Sequence, residues 1–293
     1  MWIVFALMAS VASAFYYLFA QSVKINANVF LVYRGWFIVI FLLPFLCLYP
    51  AVFPIDFYVI SLLQGGIIAY TDYLTFTINK NYGSETVSSI IPCSVIIAFF
   101  MWFLIEPAII TYYTETPVKS ILILLSLCGA VYALLKYRQT TLTRKAFFLL
   151  LPVLFLSAGN SVLNKTIMSY SNENQLICAC WRSFLIGLAI GIIHIFVYAK
   201  KKLPIKELFN PNTLKKSFIF ILLLSMTVSK SLAMYYTENP AYVTCIVYLS
   251  LIWIILLSRF IGFFKFKQSD LQTKRRWEFL FVASVILLIL ITH

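Results

Sequence analysis

Apolar residues in this chain neither alternate nor recur in narrow stripes. They run on for about twenty residues at a time and are interrupted by Pro, Gly, Asn or charge. A helix of about 20 mostly apolar residues crosses the roughly 30 Å hydrocarbon core of a bilayer. The runs define ten candidate spans, at about 2–20, 28–48, 57–78, 84–105, 118–135, 147–169, 175–199, 217–237, 240–263 and 277–292. They are too long and too continuous for barrel strands. The first run has no basic start and no small-residue cleavage site, so it reads as a retained helix rather than a signal peptide.

Composition agrees with this pattern. Of 293 residues, 62% belong to the AVILMFWYC set and 11% are charged, whereas an average soluble domain is about half apolar and a quarter charged. A disordered chain would be poorer in aromatics and richer in charge. Six Cys in so long and apolar a chain do not make a disulfide scaffold.

The net charge of +13 would suggest nucleic acid as a partner of a soluble domain, but the cations are distributed otherwise. Numbering the loops between spans in order, the odd ones hold Lys24, then Lys80, then Lys136, Arg138, Arg144 and Lys145. The next two odd loops hold Lys200, Lys201, Lys202, Lys206, Lys215 and Lys216, and Arg259, Lys265, Lys267, Lys274, Arg275 and Arg276. The even loops hold Lys119 alone, and Arg34, Lys165, Arg182 and Lys230 lie within spans. Positive residues favour the cytoplasmic side, which puts the odd loops there and both termini opposite. The even loops carry Asp56, Glu106, Glu115, Glu173 and Glu238. The partner implied is a lipid bilayer, with the chain a multi-pass protein of the cell (inner) membrane and no nucleic acid involved.

Ten spans divide into two sets of five, at 1–140 and 141–293, and an odd number per set inverts one half relative to the other. The fold class expected is therefore an all-α membrane protein of ten transmembrane helices in two inverted five-helix repeats. Val87-Ser-Ser-Ile-Ile-Pro-Cys-Ser-Val-Ile96 lies over Val243-Thr-Cys-Ile-Val-Tyr-Leu-Ser-Leu-Ile252 with four identities. Arg34 in the second span answers Arg182 in the seventh, and Ser13-Ala14 answers Ser157-Ala158.

With these features the chain resembles the ten-helix branch of the drug/metabolite transporter superfamily over nearly its whole length. The residues that carry the resemblance are Arg34 and Arg182, the run Ser88-Ser89-Ile90-Ile91-Pro92, and Glu106 closing the fourth span. The chain departs from the family pattern in having Tyr248 and Gly262 where Pro and Glu would repeat, and Pro107 after Glu106. Members of the family usually look as though both termini face the cytosol, opposite to what the loop charges indicate here. The resemblance implies a central cavity lined by spans 1, 3, 4, 6, 8 and 9.

Ionisable groups at depth in a membrane mark functional interiors or paired charges. At 1.5 Å per residue, Arg34 and Asp72 both lie roughly 8 Å in from the odd-loop face. They form either a structural ion pair, or else Asp72 is a proton or substrate site. Lys230 lies roughly 20 Å from that face, Arg182 near the same depth and Lys165 shallower. Asp72 is then offset from Lys230 by about 12 Å, too far for a direct pair. Three cations without a deep carboxylate suggest a site for a carboxylate or phosphate group. Lys165 as a snorkelling residue and Arg182 as a structural one are the competing readings.

Polar stripes converge with this. The sixth span carries Ser157, Asn160, Ser161 and Asn164 on one face, the third Asp72, Thr75 and Asn79, and the first Ser13, Tyr17 and Gln21. Such stripes line a cavity or glue helices together. Tyr16, Tyr17, Tyr70, Tyr73, Tyr235, Tyr236, Tyr242 and Tyr248 belong to an interfacial belt, or in part to a cage for a quaternary ammonium.

Other chemistries find no pattern. Two His and no Cys pair at finger spacing argue against a metal, and Cys178 and Cys180 point apart on a helix. No P-loop and no nucleophile with an evident base appear, so neither ATP coupling, a cofactor nor an enzyme activity is expected. The function expected is alternating-access carriage of a small polar metabolite with an anionic group, such as an amino acid, organic acid or phosphate ester. Lys230, Arg182, Lys165, Asn160, Asn164, Tyr17, Tyr73 and Tyr235 are the candidate binding residues. Asp72 and Arg34 serve coupling to a proton or to an exchanged metabolite, or form a structural pair. Pro92 and Pro240 loosen helix ends that gate the path. The alternative is a carrier of amphiphilic or quaternary cations through the Tyr cluster and Asp72. Either works as a monomer or weak dimer.

Overall fold

A computed structural model of the protein describes residues 1–22, 27–82, 90–138, 144–171, 174–202, 208, 216–261 and 271–292. The regular elements among them are helical: α1 (Trp2–Ser22), α2 (Ala27–Leu48), α3 (Ile55–Tyr82), α4 (Ser94–Ile105), α5 (Ala108–Glu115), α6 (Pro117–Arg138), α7 (Arg144–Met168), α8 (Gln175–Lys200), α9 (Phe220–Tyr236), α10 (Pro240–Val247), α11 (Ser250–Ile261) and α12 (Leu271–Thr292). Tight 3-10 turns, Ile91–Cys93 and Ser217–Ile219, lead into α4 and α9. Parts of the cation-rich odd loops lie outside the described residues.

Among the described residues, seven stretches are long and apolar enough to cross a membrane: Trp2–Phe19, Asn28–Leu48, Pro117–Tyr137, Phe148–Met168, Gln175–Lys200, Ser217–Tyr236 and Pro240–Leu257. An eighth is added if Ile91–Ile105 and Ala108–Glu115 count as one broken span. The chain is thus an all-α, multi-pass membrane protein. α3 and α12 are long enough but diluted: α3 contains Asp56, Gln64, Asp72 and Lys80, and α12 opens with Lys274, Arg275 and Arg276.

Local chemistry accounts for the helix ends near the even loops. Asn174 caps α8 by accepting from the Ile177 N–H at 3.1 Å, and Asn239 caps α10 by accepting from the Ala241 N–H at 3.0 Å. Pro240 occupies the first turn of α10, where its missing N–H costs nothing. After Glu106 the chain turns through 115° into α5; Pro107, which has no N–H to continue α4, sits at that corner. The apolar run read from sequence as one span over 240–263 is interrupted. Tyr248 and Leu249 form a turn between α10 and α11 with three-residue hydrogen bonds, and Pro92 lies in the corresponding turn ahead of α4.

The helices pair in a definite pattern. α2 packs on α8, α6 on α12, and α4 on α10; α1 packs on α9, α10 and α11, while α7 packs on α3 and α4. Lipid gives helices no hydrophobic reason to associate, so close association depends on small residues that admit intimate contact. At α2 and α8 these are glycines. A Cβ built on Gly35 falls 2.3 Å from the Gly191 nitrogen and 2.7 Å from the Gly187 oxygen. The apolar core includes Phe57, Phe99, Leu127, Met168, Met234, Tyr242 and Phe281, side chains from seven helices.

Gly35→Ala is expected to push α2 from α8 at a cost of about 1–3 kcal/mol, in the range of overpacked cores. Gly66→Ala, whose Cβ would meet nothing nearer than Ile193 Cδ1 at 3.9 Å, is expected to be silent. Thermal melts of the two purified variants check this; equal melting points would refute the close contact.

Candidate functional site

The polar side chains gathered around Arg182 and Lys230 come from α3, α7, α8, α9 and α10. Arg182, 2% exposed, projects from the second turn of α8. Its Nε donates to Gln64 Oε1 at 3.0 Å and its Nη1 to Ser231 Oγ at 2.7 Å. Gln64, fully buried in α3, spends its amide nitrogen on Asn160, donating to Oδ1 at 2.6 Å and to the backbone oxygen at 2.8 Å. Ser231 passes its own hydroxyl proton to the Thr227 oxygen at 2.8 Å. The guanidinium is therefore anchored by a chain of amide and hydroxyl groups, and a buried charge needs such partners to be tolerated.

Lys230 precedes Ser231 on α9 and is partly buried. Its ammonium donates to Ser161 Oγ at 3.4 Å, and Thr244 of α10 donates to the same oxygen at 3.2 Å. Arg182 is the charged group acting on it. Among the described residues neither cation has a carboxylate within salt-bridge distance, the ion pair there being Arg34 with Asp72. Asn164, 3% exposed and one turn beyond Ser161 on α7, leaves its Oδ1 without a protein partner.

Lys165 stands one turn from Ser161 on the same helix and donates to the Tyr235 carbonyl oxygen at 3.2 Å. It also lines a pocket of about 440 Å³ at the even-loop end, with Trp102, Glu106, Ile109, Thr166 and Glu238. Glu106 and Glu238 are the carboxylates whose field reaches it; Glu173 lies outside the described residues.

The structure thus brings together Lys230, Arg182 and Asn160, with Asn164 beside them and Lys165 one turn away; Tyr235 joins through its backbone oxygen. Tyr73 is placed elsewhere. Tyr17, 49% exposed, packs on Tyr16 in α1, and the ring of Tyr73 carries the Lys201 ammonium at 5.7 Å. Tyr235 packs edge-on against Tyr236. Asp72 is engaged by Arg34, each about one-fifth exposed, so it has a counter-ion of its own. The side chains of Asn79 and Gln21 lie outside what is described. Among the described residues no three His, Cys, Asp or Glu side chains converge as metal ligands.

Gln64, Ser231 and Thr244 were not singled out by the sequence. Gln64 stands about three turns before Thr75 on α3, so the stripe read from Asp72 to Asn79 extends back to it. Ser231 and Thr244 carry no sequence signal, because Ser and Thr are common in apolar helices and satisfy themselves on the preceding turn.

In comparisons with known proteins, no family model matches this chain and no curated protein matches it at a significant level.

Two stability predictions follow from the partners. Gln64→Leu strips Arg182 and Asn160 of hydrogen bonds and is expected to cost about 1–3 kcal/mol, whereas Gln64→Glu supplies a carboxylate to Arg182 and should preserve the fold; paired thermal melts decide. Asp72→Asn is expected to cost about 3–5 kcal/mol by leaving Arg34 uncompensated, and adding Arg34→Met should recover most of it. A double variant no better than the single one would show that the pair is not what holds these helices.

Proposed function

We propose that this protein is a secondary carrier that moves a small metabolite bearing an anionic group by alternating access, with Lys230 and Arg182 receiving that group. The observation that carries the reading is the shared neutral surround of these two cations. Gln64, Ser161 and Ser231 supply oxygens but no charge, so the positive field is left to be matched by something arriving from water. A carboxylate or phosphate does so with charge-assisted bonds, and Arg presents a planar fork suited to either. Sites within a bundle, between facing helices, are where membrane carriers hold cargo.

The helix pairing supports a ten-span, two-half architecture at 1–140 and 141–293, as in the ten-helix branch of the drug/metabolite transporter superfamily. Matching α1 to α7, α3 to α9, and α4 to α10 with α11, the packing of α1 on α9 is mirrored by that of α7 on α3. The packing of α1 on α10 and α11 is likewise mirrored by that of α7 on α4, while α2 with α8 and α6 with α12 are pairs of equivalent helices. Ser94 and Ser250, aligned in the sequence repeat, each open a helix of 12 residues behind a turn. The two turns also touch, since Tyr248 donates its hydroxyl to the Ile91 oxygen at 3.3 Å. With the cation-rich loops in the cytoplasm, the pocket beside Lys165 opens on the opposite side.

Uptake by proteoliposomes of a labelled panel of amino acids, organic acids and phosphate esters tests the reading. Lys230→Met is expected to lower transport of the accepted solute at least tenfold while size-exclusion behaviour is kept. Transport unchanged in Lys230→Met but abolished in an Asp72→Asn variant that keeps its size-exclusion behaviour would overturn it in favour of a cation carrier.

A further inference from the structure

The pocket between α4, α7 and the α9–α10 turn is lined by opposite charges that have not closed on one another. Glu106 ends α4, Glu238 sits in the turn before α10, and Lys165 is on α7, with Trp102 and Thr166 completing the wall. Both carboxylates act on Lys165 through space, yet neither comes within the 4.0 Å of a salt bridge. The ammonium donates instead to the Tyr235 carbonyl oxygen at 3.2 Å. Trp102 is 6% exposed and its indole N–H has no protein partner, so a buried donor lies unused in the same wall.

Opposite charges on flexible side chains attract one another. Here three separate elements hold them apart around open volume. Two negative charges and one positive line that volume, and the inner cations lie about one helical turn beyond it, from Lys165 to the Lys230 partner Ser161. A solute with only an anionic group meets two carboxylates on entry. A solute with an ammonium as well places it between Glu106 and Glu238 and points its anionic end to Lys165 and onward to Lys230. A volume of about 440 Å³ equals the share of about fifteen waters, ample for an amino-acid-sized molecule.

The geometry points to a vestibule that selects zwitterions, metabolites carrying one ammonium and one carboxylate or phosphate. This rests on the carrier reading and narrows its substrate class.

The test uses the full-length protein in lipid nanodiscs and thermal stabilisation as the readout, since a solute that binds the folded state raises its melting point. The probes are neutral α-amino acids with their matched α-hydroxy acids and decarboxylated amines, and phosphoethanolamine with ethyl phosphate. The expected result is stabilisation by at least one zwitterion, with its ammonium-free partner needing at least tenfold more for the same shift and the amine giving none. Glu106→Gln with Glu238→Gln should bring the zwitterion and its partner to within about threefold; Glu238→Gln alone, at an exposed turn, serves if the double variant does not fold, and should at least halve the preference. Glu238→Asp should retain it. Equal response of the wild type to amino and hydroxy acids, or a preference surviving the Gln variants, overturns the vestibule. Equal responses that both vanish in Lys230→Met overturn it while leaving the carrier reading intact, and no response to any anionic probe overturns both.

Discussion

A charge inside a lipid-soluble bundle has to be answered by something, and this protein answers Arg34 and Arg182 differently. Arg34 meets a carboxylate, Asp72, and the pair is electrically closed. Arg182 meets an amide and a hydroxyl, which accept from its Nε and Nη1 and leave its charge standing. Removing ions from water costs several kcal/mol each even after relaxation, so a charge kept without a counter-ion needs a dense set of dipoles around it. Gln64 is the keystone of that set because it faces both ways, accepting from Arg182 and donating to Asn160. The three helices α3, α7 and α8 are thereby tied through one side chain.

The sequence disclosed the membrane character plainly, because a run of twenty apolar residues has little else to be. It also disclosed the depth of each ionisable group, since rise per residue is fixed. Arg34 and Asp72 fall at one level by that arithmetic and are joined in the structure, and Lys230 and Arg182 fall together at another. What it could not disclose was rotation about each helix axis. Tyr73 and Tyr235 look alike in a stripe, yet one stacks under Lys201 near the end of α8 and the other offers only its carbonyl to Lys165. Gln64 was missed because a lone amide in an apolar run has no periodic signal until its partners on other helices are known. The interruption at Tyr248 and Leu249 was missed for a related reason: no Pro or Gly marks it, and the turn is tied across the bundle by the hydroxyl bond from Tyr248 to the Ile91 oxygen.

The interior is graded along the membrane normal. At the even-loop end, charges of both signs share an open pocket. About one turn deeper the groups are cationic with neutral partners, and toward the odd-loop face the Arg34 and Asp72 charges cancel. Side chains on α7, at positions 160, 161, 164 and 165, take part in the first two levels, so α7 links them.

The contact of Gly35 with Gly187 and Gly191 has a mechanical meaning. Where backbones come this close there is little slack for shear, and Ile38 and Trp36 of α2 close over Gly187 and Gly191 of α8 on either side of the contact. In a carrier that works by alternating access, a seam packed this closely would be the axle about which the other helices turn rather than one of the moving parts.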